Sequence, residues 1–403
     1  MKKYLKLLFI IILLIPLNIK ADIVDIDSKN AVMINLNNNE IIYEKEKDEI
    51  IEIASMQKIM TSLIAVEKVE DLDETFVLPE GIFDGLDPEL AVVGFSSGDT
   101  VSYKDLLYGT LLKSGADAAY ALGIEIAGSE EEYVKIMNDK VKELGLKNTV
   151  YKNTSGLDAD GQYSTVYDMA VVLKYALNNK KFKEIISTEE YTTTNGEYTF
   201  SGPVKKAKSL DMSYFLGGKT GFTDLAGLCL ASFASYDDIN FILVTGGADQ
   251  YKNNQNFLDH KALYDYFKDN YSFQTIVKKN SKIKKIKTMY DDVVELKASR
   301  DVTMYLNNSI FQSDIKYIYK GKEELDKTIK KGDKIGEFIV KYDDTVLYQE
   351  DVLSPITVKF KLKREYALAL LIIVGSIIVH LFFRSIRRKR RRKRRRKRRR
   401  KYA

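Results

Sequence analysis

The period of the hydrophobic pattern changes along the first 150 residues. Short, mainly apolar runs at 31–36 and 40–43, joined by three asparagines at 37–39, predict a pair of strands with a polar turn. From Met56 the apolar residues recur with a helical spacing, so a helix is predicted to begin at about Ser55. Strand and helix patterns therefore follow one another within a short stretch of chain.

Two more helical regions follow. The first covers 103–127, and the second covers 131–144 and ends at Gly145, a residue type that commonly terminates helices. Strand character returns after about Tyr191, and the pattern over 228–245 predicts a hairpin. Strands, then helices, then strands predict an α+β domain whose sheet joins both ends of the segment.

A helix is predicted over 254–267, where it closes the first domain. After Tyr271 the pattern shifts again, and glycines at 321 and 332 are predicted to lie at turns. Short alternating runs occupy 302–306, 315–319 and 335–342. This pattern predicts a small all-β module of about ninety residues.

Both ends of the chain carry apolar runs. Three lysines precede an apolar stretch at 7–16, which is typical of a signal peptide over 1–21. The cleavage site is weak because Ile19 is not a small residue, so an uncleaved anchor is the alternative. Residues 366–383 contain no charge and span about 27 Å as a helix, which predicts a transmembrane helix over 363–383.

The last 20 residues, 384–403, hold sixteen Lys and Arg and are predicted to stay on the cytoplasmic side of a membrane. These patterns predict a signal peptide at 1–21, a first domain at 22–270 and a β-rich domain at 271–362. They predict a transmembrane helix at 363–383 and a basic tail at 384–403. The protein is therefore expected in the cell membrane, with a single C-terminal span and an extracytoplasmic body.

The composition is that of a globular protein, with 45% hydrophobic and 30% charged residues. The formal net charge is +6, but without the tail and the four lysines of the first 21 residues the remainder carries about −14. This body is not expected to bind nucleic acid. The tail itself has a composition that binds phosphate, but its place directly after an apolar span favours a stop-transfer signal that contacts anionic lipid.

The counts of cysteine and histidine restrict the chemistry. Cys229, the single cysteine, lies in an apolar run and is predicted to be a buried thiol. The two histidines are His260 and His380, and His380 falls in the predicted span. These counts argue against a Ser-His-Asp triad and a histidine-rich metal site, so no metal or cofactor is expected and an enzyme would need another base.

Ser55 and Lys58 place a hydroxyl and an amine one turn apart at the start of the first predicted helix. A lysine can activate a serine when desolvation or a neighbouring cation lowers the pKa of its amine. The same Ser-x-x-Lys spacing recurs at Ser281 and Lys284, in a basic linker without an apolar helix behind it. The spacing alone is therefore weak evidence.

Two other motifs accompany it. Ser114-Gly115-Ala116-Asp117 interrupts the apolar region 103–127, and Lys219-Thr220-Gly221 precedes the hairpin. A glycine in a strand lets a substrate backbone approach closely, while a lysine and a threonine supply a cation and a donor for a carboxylate. Each motif taken alone would also fit an ordinary turn.

The three motifs, in this order, resemble those of the penicillin-recognising serine enzymes, most closely the D-alanyl-D-alanine carboxypeptidase family of low-molecular-mass penicillin-binding proteins. The likeness covers most of residues 24–262 and continues more weakly to about 360. It also rests on longer strings, which are Asn153-Thr154-Ser155-Gly156-Leu157-Asp158, Tyr163-Ser164-Thr165 with Tyr167-Asp168-Met169-Ala170, and Gly218-Lys219-Thr220-Gly221-Phe222-Thr223-Asp224 with Ala226-Gly227.

The resemblance implies a fold and a reaction. The fold is a β-lactamase/transpeptidase-like domain, with an antiparallel sheet flanked by helices, followed by a β-rich domain and a C-terminal membrane attachment. The reaction is removal of the terminal D-alanine from peptidoglycan stem peptides through an acyl-enzyme, which β-lactams also form. Ser55 would be the nucleophile and Lys58 its proton acceptor, and Ser114 would relay a proton between Lys58, Lys219 and the leaving amine.

The resemblance also implies how substrate is held. Lys219 and Thr220 would bind its terminal carboxylate, beside Gly221. The backbone N–H groups of Ser55 and Phe222 would form the oxyanion hole.

This chain departs from the family at Ala116, where the Ser-x-Asn motif has an asparagine. Alanine can hold neither the lysine nor a substrate carbonyl, and Asp117 would point about 100° away on a helix. Two rival functions stay open at this point. A class A β-lactamase would carry a Glu-x-x-Leu-Asn segment, which is not found in the sequence, and a muropeptide-binding module would have weak catalysis or none.

Overall fold

The computed structural model describes residues 24–87, 90–360 and 364–399. The chain divides into two compact units between Asn270 and Tyr271. The predicted signal peptide, 1–21, lies outside the described residues.

The first unit is built on a five-stranded antiparallel sheet with the strand order β2-β1-β9-β8-β7. Two short hairpins, β3 with β4 and β5 with β6, lie outside this sheet. The strands are β1 (Asn30–Asn35), β2 (Glu40–Lys45), β3 (Thr75–Val77), β4 (Thr100–Ser102), β5 (Glu190–Thr192), β6 (Thr199–Ser201), β7 (Phe215–Thr223), β8 (Gly227–Tyr236) and β9 (Ile239–Ala248).

The order confirms that the sheet joins both ends of the unit, because β1 pairs with β9 along its whole length. The eight helices described in this unit surround the sheet. They are α1 (Lys58–Lys68), α2 (Tyr103–Leu111), α3 (Ala116–Ala127), α4 (Glu130–Glu143), α5 (Val166–Ala176), α6 (Lys180–Ile186), α7 (Pro203–Ser209) and α8 (Gln255–Asn270).

Alternation along β8 shows how the sheet separates two apolar layers. Ala231 and Phe233 face the large core that α1 to α6 share, whereas Ser232 contacts His260 of α8 on the opposite face. The predicted α+β fold, with an antiparallel sheet flanked by helices, is confirmed.

The predicted helices are found, with one difference at the start of the first helix. The helix expected at about Ser55 starts with a single 3₁₀ turn, Ala54–Gln57, before α1. Region 103–127 forms two helices, and the break between them falls at the motif that interrupts the apolar pattern, where the backbone of Ser114 has a φ of +65°.

Helices α5, α6 and α7 were not predicted from the sequence. The sequence contains a signal for α5, because threonine is a common N-cap residue and Thr165 directly precedes the helix. In the structure, Thr165 Oγ1 accepts a hydrogen bond from the N–H of Asp168, as in other helix N-caps. The predicted helix at 131–144 is confirmed as α4, and Gly145 follows it with a φ of +70°.

The second unit has three small sheets, with the orders β10-β13, β12-β11-β15 and β14-β16-β17. This confirms the predicted all-β module. Its strands are β10 (Tyr271–Val277), β11 (Lys282–Thr288), β12 (Val293–Lys297), β13 (Val302–Asn307), β14 (Ile315–Gly321), β15 (Glu324–Leu325), β16 (Lys334–Tyr342) and β17 (Thr345–Leu353).

Two local predictions for this unit were wrong. The basic stretch around Ser281 is not a linker, because most of it forms β11, with Ile286 buried and Lys285 and Lys287 exposed on either side of it. Gly321 does not lie at a turn, since it ends β14 opposite Gly336, where a Cβ would meet backbone atoms 2.4–2.5 Å away.

The remaining described helix, α9 (Arg364–Arg399), contains the apolar stretch 366–383 and the basic residues that follow it. Among the described residues it is the one helix long and apolar enough to span a membrane. The predicted C-terminal apolar helix is thus confirmed as a helix.

His260 occupies the layer between α8 and the sheet. Its Nδ1 lies 2.8 Å from Ser232 Oγ and its Nε2 lies 3.0 Å from Thr245 Oγ1, in a fully buried position. Burial lowers the pKa of His260 to about 3. The imidazole is therefore a neutral structural group that joins two strands to a helix.

This pKa predicts a pH dependence of stability. Between the unfolded pKa of about 6.5 and the folded value, the unfolded chain binds a proton that the folded chain does not, so stability falls as pH falls, by about 1.4 kcal/mol per pH unit. We expect the His260→Gln variant to lose this component when both proteins are unfolded by urea between pH 6.5 and 4.5. Equal slopes for the two proteins would contradict the assignment.

Candidate active site

The 3₁₀ turn that carries Ser55 is a strained and closely packed piece of backbone. Ala54 has a φ of +48°, which is unfavourable for a residue with a Cβ. Two glycines allow neighbouring chain segments to pack against this turn. A Cβ on Gly156 would lie 2.1 Å from Ala54 O, and one on Gly221 would lie 2.9 Å from Ile53 O. The half-buried Ser55 is thus fixed from two sides.

Lys58 lies directly behind Ser55. Its Nζ is 2.9 Å from Ser55 Oγ, and the residue is only 2% exposed. Burial lowers the pKa of Lys58 to about 7, and the carboxylate of Asp117 partly opposes this shift. A large fraction of this amine is therefore neutral near pH 7 and able to accept a proton.

A second contact of Lys58 comes from the backbone. Its Nζ donates a hydrogen bond to Ser155 O over 2.5 Å. Asn153 Oδ1 accepts a bond of 2.7 Å from the N–H of Gly156 and so closes the turn that presents this carbonyl. The role of this carbonyl is not predictable from the sequence, since a carbonyl acceptor has no signature in residue type.

Further hydrogen bonds from residues of α1 and α4 hold the same turn, residues 153–156, in place. Glu130 Oε1, at the start of α4, accepts bonds from both the N–H and the hydroxyl of Thr154, at 2.8 and 2.7 Å. Thr61 of α1 donates its hydroxyl to Thr154 O at 2.7 Å. The turn is therefore held by α1 and α4, the helices that also pack in the core.

Ser114 and Lys219 form a second pair of hydroxyl and amine. Lys219 Nζ lies 2.9 Å from Ser114 Oγ and 2.9 Å from Thr220 O. Lys219 is 1% exposed, and its pKa is well below the usual value because of burial first and the charge of Lys58 second. The structure thus brings Ser114 to Lys219, while the hydrogen bonds described for Lys58 go to Ser55 and Ser155.

Asp117 has a structural task beside this pair. Its carboxylate accepts hydrogen bonds from the N–H groups of Val93, Gly94 and Phe95 at 2.9, 2.9 and 3.1 Å. It therefore does not substitute for the asparagine that the family places at Ala116. Ala116 itself is buried at the start of α3.

The strand β7 brings the Lys-Thr-Gly motif to the edge of the sheet. Lys219 and Gly221 are buried, Thr220 is partly exposed and Phe222 is half exposed. Just beyond the motif, Thr223 Oγ1 donates a bond of 3.0 Å to Asp158 Oδ1, which ties β7 to the loop after Gly156.

Other candidate groups lie outside this arrangement. Cys229 is fully buried, and burial raises its pKa to about 12, as expected for an unreactive thiol. Ser281 precedes the strand β11 in the second unit and is not on a helix. Of the three Ser-x-x-Lys matches, which begin at Ser55, Ser281 and Ser313, only the first lies in the same unit as the other two motifs.

Comparison with known proteins agrees with this geometry. Residues 18–250 match the family described as D-alanyl-D-alanine carboxypeptidase, and residues 271–360 match the C-terminal domain of penicillin-binding protein 5. The D-alanyl-D-alanine carboxypeptidase DacF of Bacillus subtilis is 31% identical over 84% of this chain and 86% of its own length. DacA of Escherichia coli is 31% identical over 59% of this chain and 60% of its own.

Solved structures share the fold. Penicillin-binding protein 5 of Haemophilus influenzae superposes with a TM-score of 0.62 and 23% identity, over 83% of this chain and 98% of that one. The carboxypeptidase DacD of Francisella tularensis gives a TM-score of 0.69 at 21% identity, over 85% and 95%. The family match over more than half of the sequence and the B. subtilis relative together show that this chain belongs to the D-alanyl-D-alanine carboxypeptidase family.

Proposed function

We propose that Ser55 is the nucleophile of this serine-type D-Ala-D-Ala carboxypeptidase, which removes the terminal D-alanine of peptidoglycan stem peptides and is acylated by penicillin. The observation that carries the assignment is the 2.9 Å contact between Ser55 Oγ and the buried amine of Lys58. A base with a pKa of about 7 has a large neutral fraction at physiological pH.

In the acylation step, the neutral amine of Lys58 takes the proton of Ser55 as its oxygen attacks the carbonyl of the penultimate D-alanine. The oxyanion of the tetrahedral intermediate is stabilised by the N–H groups of Ser55 and Phe222. When the C–N bond breaks, the leaving amine of D-alanine takes a proton from the hydroxyl of Ser114, and this hydroxyl receives the proton that Lys58 took from Ser55. Lys219 holds the Ser114 hydroxyl during this relay, and Lys58 is neutral again at its end. The products are free D-alanine and an ester on Ser55.

The edge position of β7 supports a mode of substrate binding. An extended peptide can pair with the outer side of this strand, with its terminal carboxylate at Lys219 and Thr220. In the empty cleft, burial and the charge of Lys58 oppose protonation of Lys219. A carboxylate that enters the cleft favours the charged amine, so we expect substrate to bind with uptake of a proton.

In the deacylation step, Lys58 takes a proton from a water molecule as the water oxygen attacks the ester carbonyl. When the bond between this carbonyl and Ser55 Oγ breaks, Lys58 gives the proton to Ser55 Oγ, and the shortened peptide leaves as a carboxylic acid. The same acceptor serves both steps because its position behind Ser55 does not depend on the leaving group.

We also propose a location for each part of the chain. Residues 1–21 act as the signal peptide, 22–270 as the catalytic domain and 271–362 as a spacer outside the membrane. The span 363–383 holds the protein in the membrane, and the tail 384–403 stays in the cytoplasm. The apolar and basic character of α9 supports this topology.

Removal of the nucleophile is the direct test. We expect Ser55→Ala to abolish labelling by fluorescent penicillin and release of D-alanine, with an unchanged fold, since a small polar group near a helix start contributes about 1 kcal/mol. Ser281→Ala is the matched control, because it removes the serine of another Ser-x-x-Lys match. Labelling that persists in Ser55→Ala, or vanishes in Ser281→Ala, would refute the assignment.

The pKa of Lys58 predicts the pH profile of acylation. Since the neutral amine is the active form, the second-order rate of acylation by penicillin should rise about tenfold per pH unit below pH 7 and level off above it. Stopped-flow measurement from pH 5 to 9 tests this. A rate independent of pH across 7 would mean that Lys58 is not the base.

The departure from the family at Ala116 yields another prediction. An asparagine amide bonded to Lys58 or to substrate contributes roughly 1.5–3 kcal/mol when it is well aligned, against an overpacking cost of about 1–3 kcal/mol at this buried site. We expect Ala116→Asn to raise the acylation rate at least severalfold with little change in melting temperature. An unchanged or lower rate in a stably folded variant would show that the Ser155 carbonyl already fulfils this role.

A further inference from the structure

The basic end of α9 is the largest concentration of charge in the chain and has no part in the proposed reaction. Residues 387–396 are ten consecutive Lys and Arg, and all of these side chains are exposed. No acidic residue follows Glu365, so the described part of the helix offers them no internal counter-charge. A ligand for this segment must therefore be anionic.

The helical form of this segment decides how the charge is arranged. Consecutive residues of an α-helix are about 100° apart, so ten consecutive cations surround the axis on every side. Within this segment, lysines at 389 and 393 are four residues apart, and arginines occupy the other eight positions. Like charges at such spacings destabilise an isolated helix. The segment is thus a helix that requires a polyanion around it.

The length of the helix argues against a lipid surface as that polyanion. The 16 residues after the apolar stretch, 384–399, continue α9 for about 24 Å. Screening at physiological salt limits attraction by a charged leaflet to about 8 Å. A flat leaflet also meets only one side of a helix, and the segment 387–396 has no apolar residue that would hold it in the interface.

We propose that the basic end of α9 is a binding site for nucleic acid, in which phosphates of a duplex groove neutralise the cations on several faces of the helix. The predominance of arginine favours this partner, because the guanidinium group contacts phosphate oxygens with two parallel N–H donors. The proposal rests on the proposed topology, which places the tail in the cytoplasm, where nucleic acid is present. It assigns to the tail a partner that the exported body would not bind.

The test uses the full chain in nanodiscs of neutral lipid and a fluorescent 25-base-pair DNA duplex, read by anisotropy. We expect binding at 150 mM salt, with a plot of log K against log salt of slope roughly −4 or steeper. A variant with Arg390, Arg391, Arg392, Arg394 and Arg395 replaced by Gln should bind at least tenfold more weakly. The matched variant with Lys at the same five positions keeps the charge but loses the paired N–H donors, so it should bind more weakly than the native chain and more tightly than the Gln variant.

Two results would overturn the proposal, namely no binding in neutral nanodiscs or equal binding by the Gln variant. A third arm repeats the measurement with anionic lipid in the nanodisc. Loss of duplex binding there would show that the leaflet captures the tail and would also overturn it. Acylation by penicillin is measured in every sample, so that a failure of the tail proposal is distinguished from a failure of the proposed enzyme.

Discussion

The burial of the Lys58 amine is the constraint on which the catalytic unit depends. An exposed lysine stays protonated near pH 7, and only desolvation brings its pKa close to neutrality. Burial of a polar group is costly unless its hydrogen bonds are supplied, and here Ser55 Oγ and Ser155 O supply them. The same two contacts place the amine where a proton acceptor is needed.

Close packing around the 3₁₀ turn excludes water from this amine. Gly156 and Gly221 let the loop after α4 and the strand β7 approach the turn to distances that a Cβ would forbid. The strand β7 belongs to a sheet that gathers β1 from one end of the unit and β9 from the other. Lys58 is only three residues from Ser55 in the sequence, but its desolvation therefore depends on strands that are distant in the sequence.

The sequence made part of this site predictable. The helical spacing from Met56 placed Ser55 and Lys58 one turn apart, and the glycine-rich string around Lys219 indicated a strand that others approach closely. The role of the Ser155 carbonyl was not predictable, since every residue has a carbonyl and only the fold directs one of them. The break between α2 and α3 falls at the Ser114-Gly115-Ala116-Asp117 motif that interrupts the apolar pattern, but its backbone conformation was not predictable, because a φ of +65° at Ser114 runs against the preference of its residue type.

The hydrogen bonds of Asp117 and of the Ser155 carbonyl show how the site is built with an alanine, instead of an asparagine, at position 116. Asp117, the neighbouring polar side chain, is committed to the backbone of Val93, Gly94 and Phe95. The Ser155 carbonyl accepts from Lys58 without any contribution from residue 116. Because this acceptor belongs to the backbone, substitution of a side chain does not remove it directly; only loss of the turn that Asn153 and Glu130 hold would do so. The hydrogen bond from Lys58 to Ser155 O therefore depends on the turn and not on the residue at position 116.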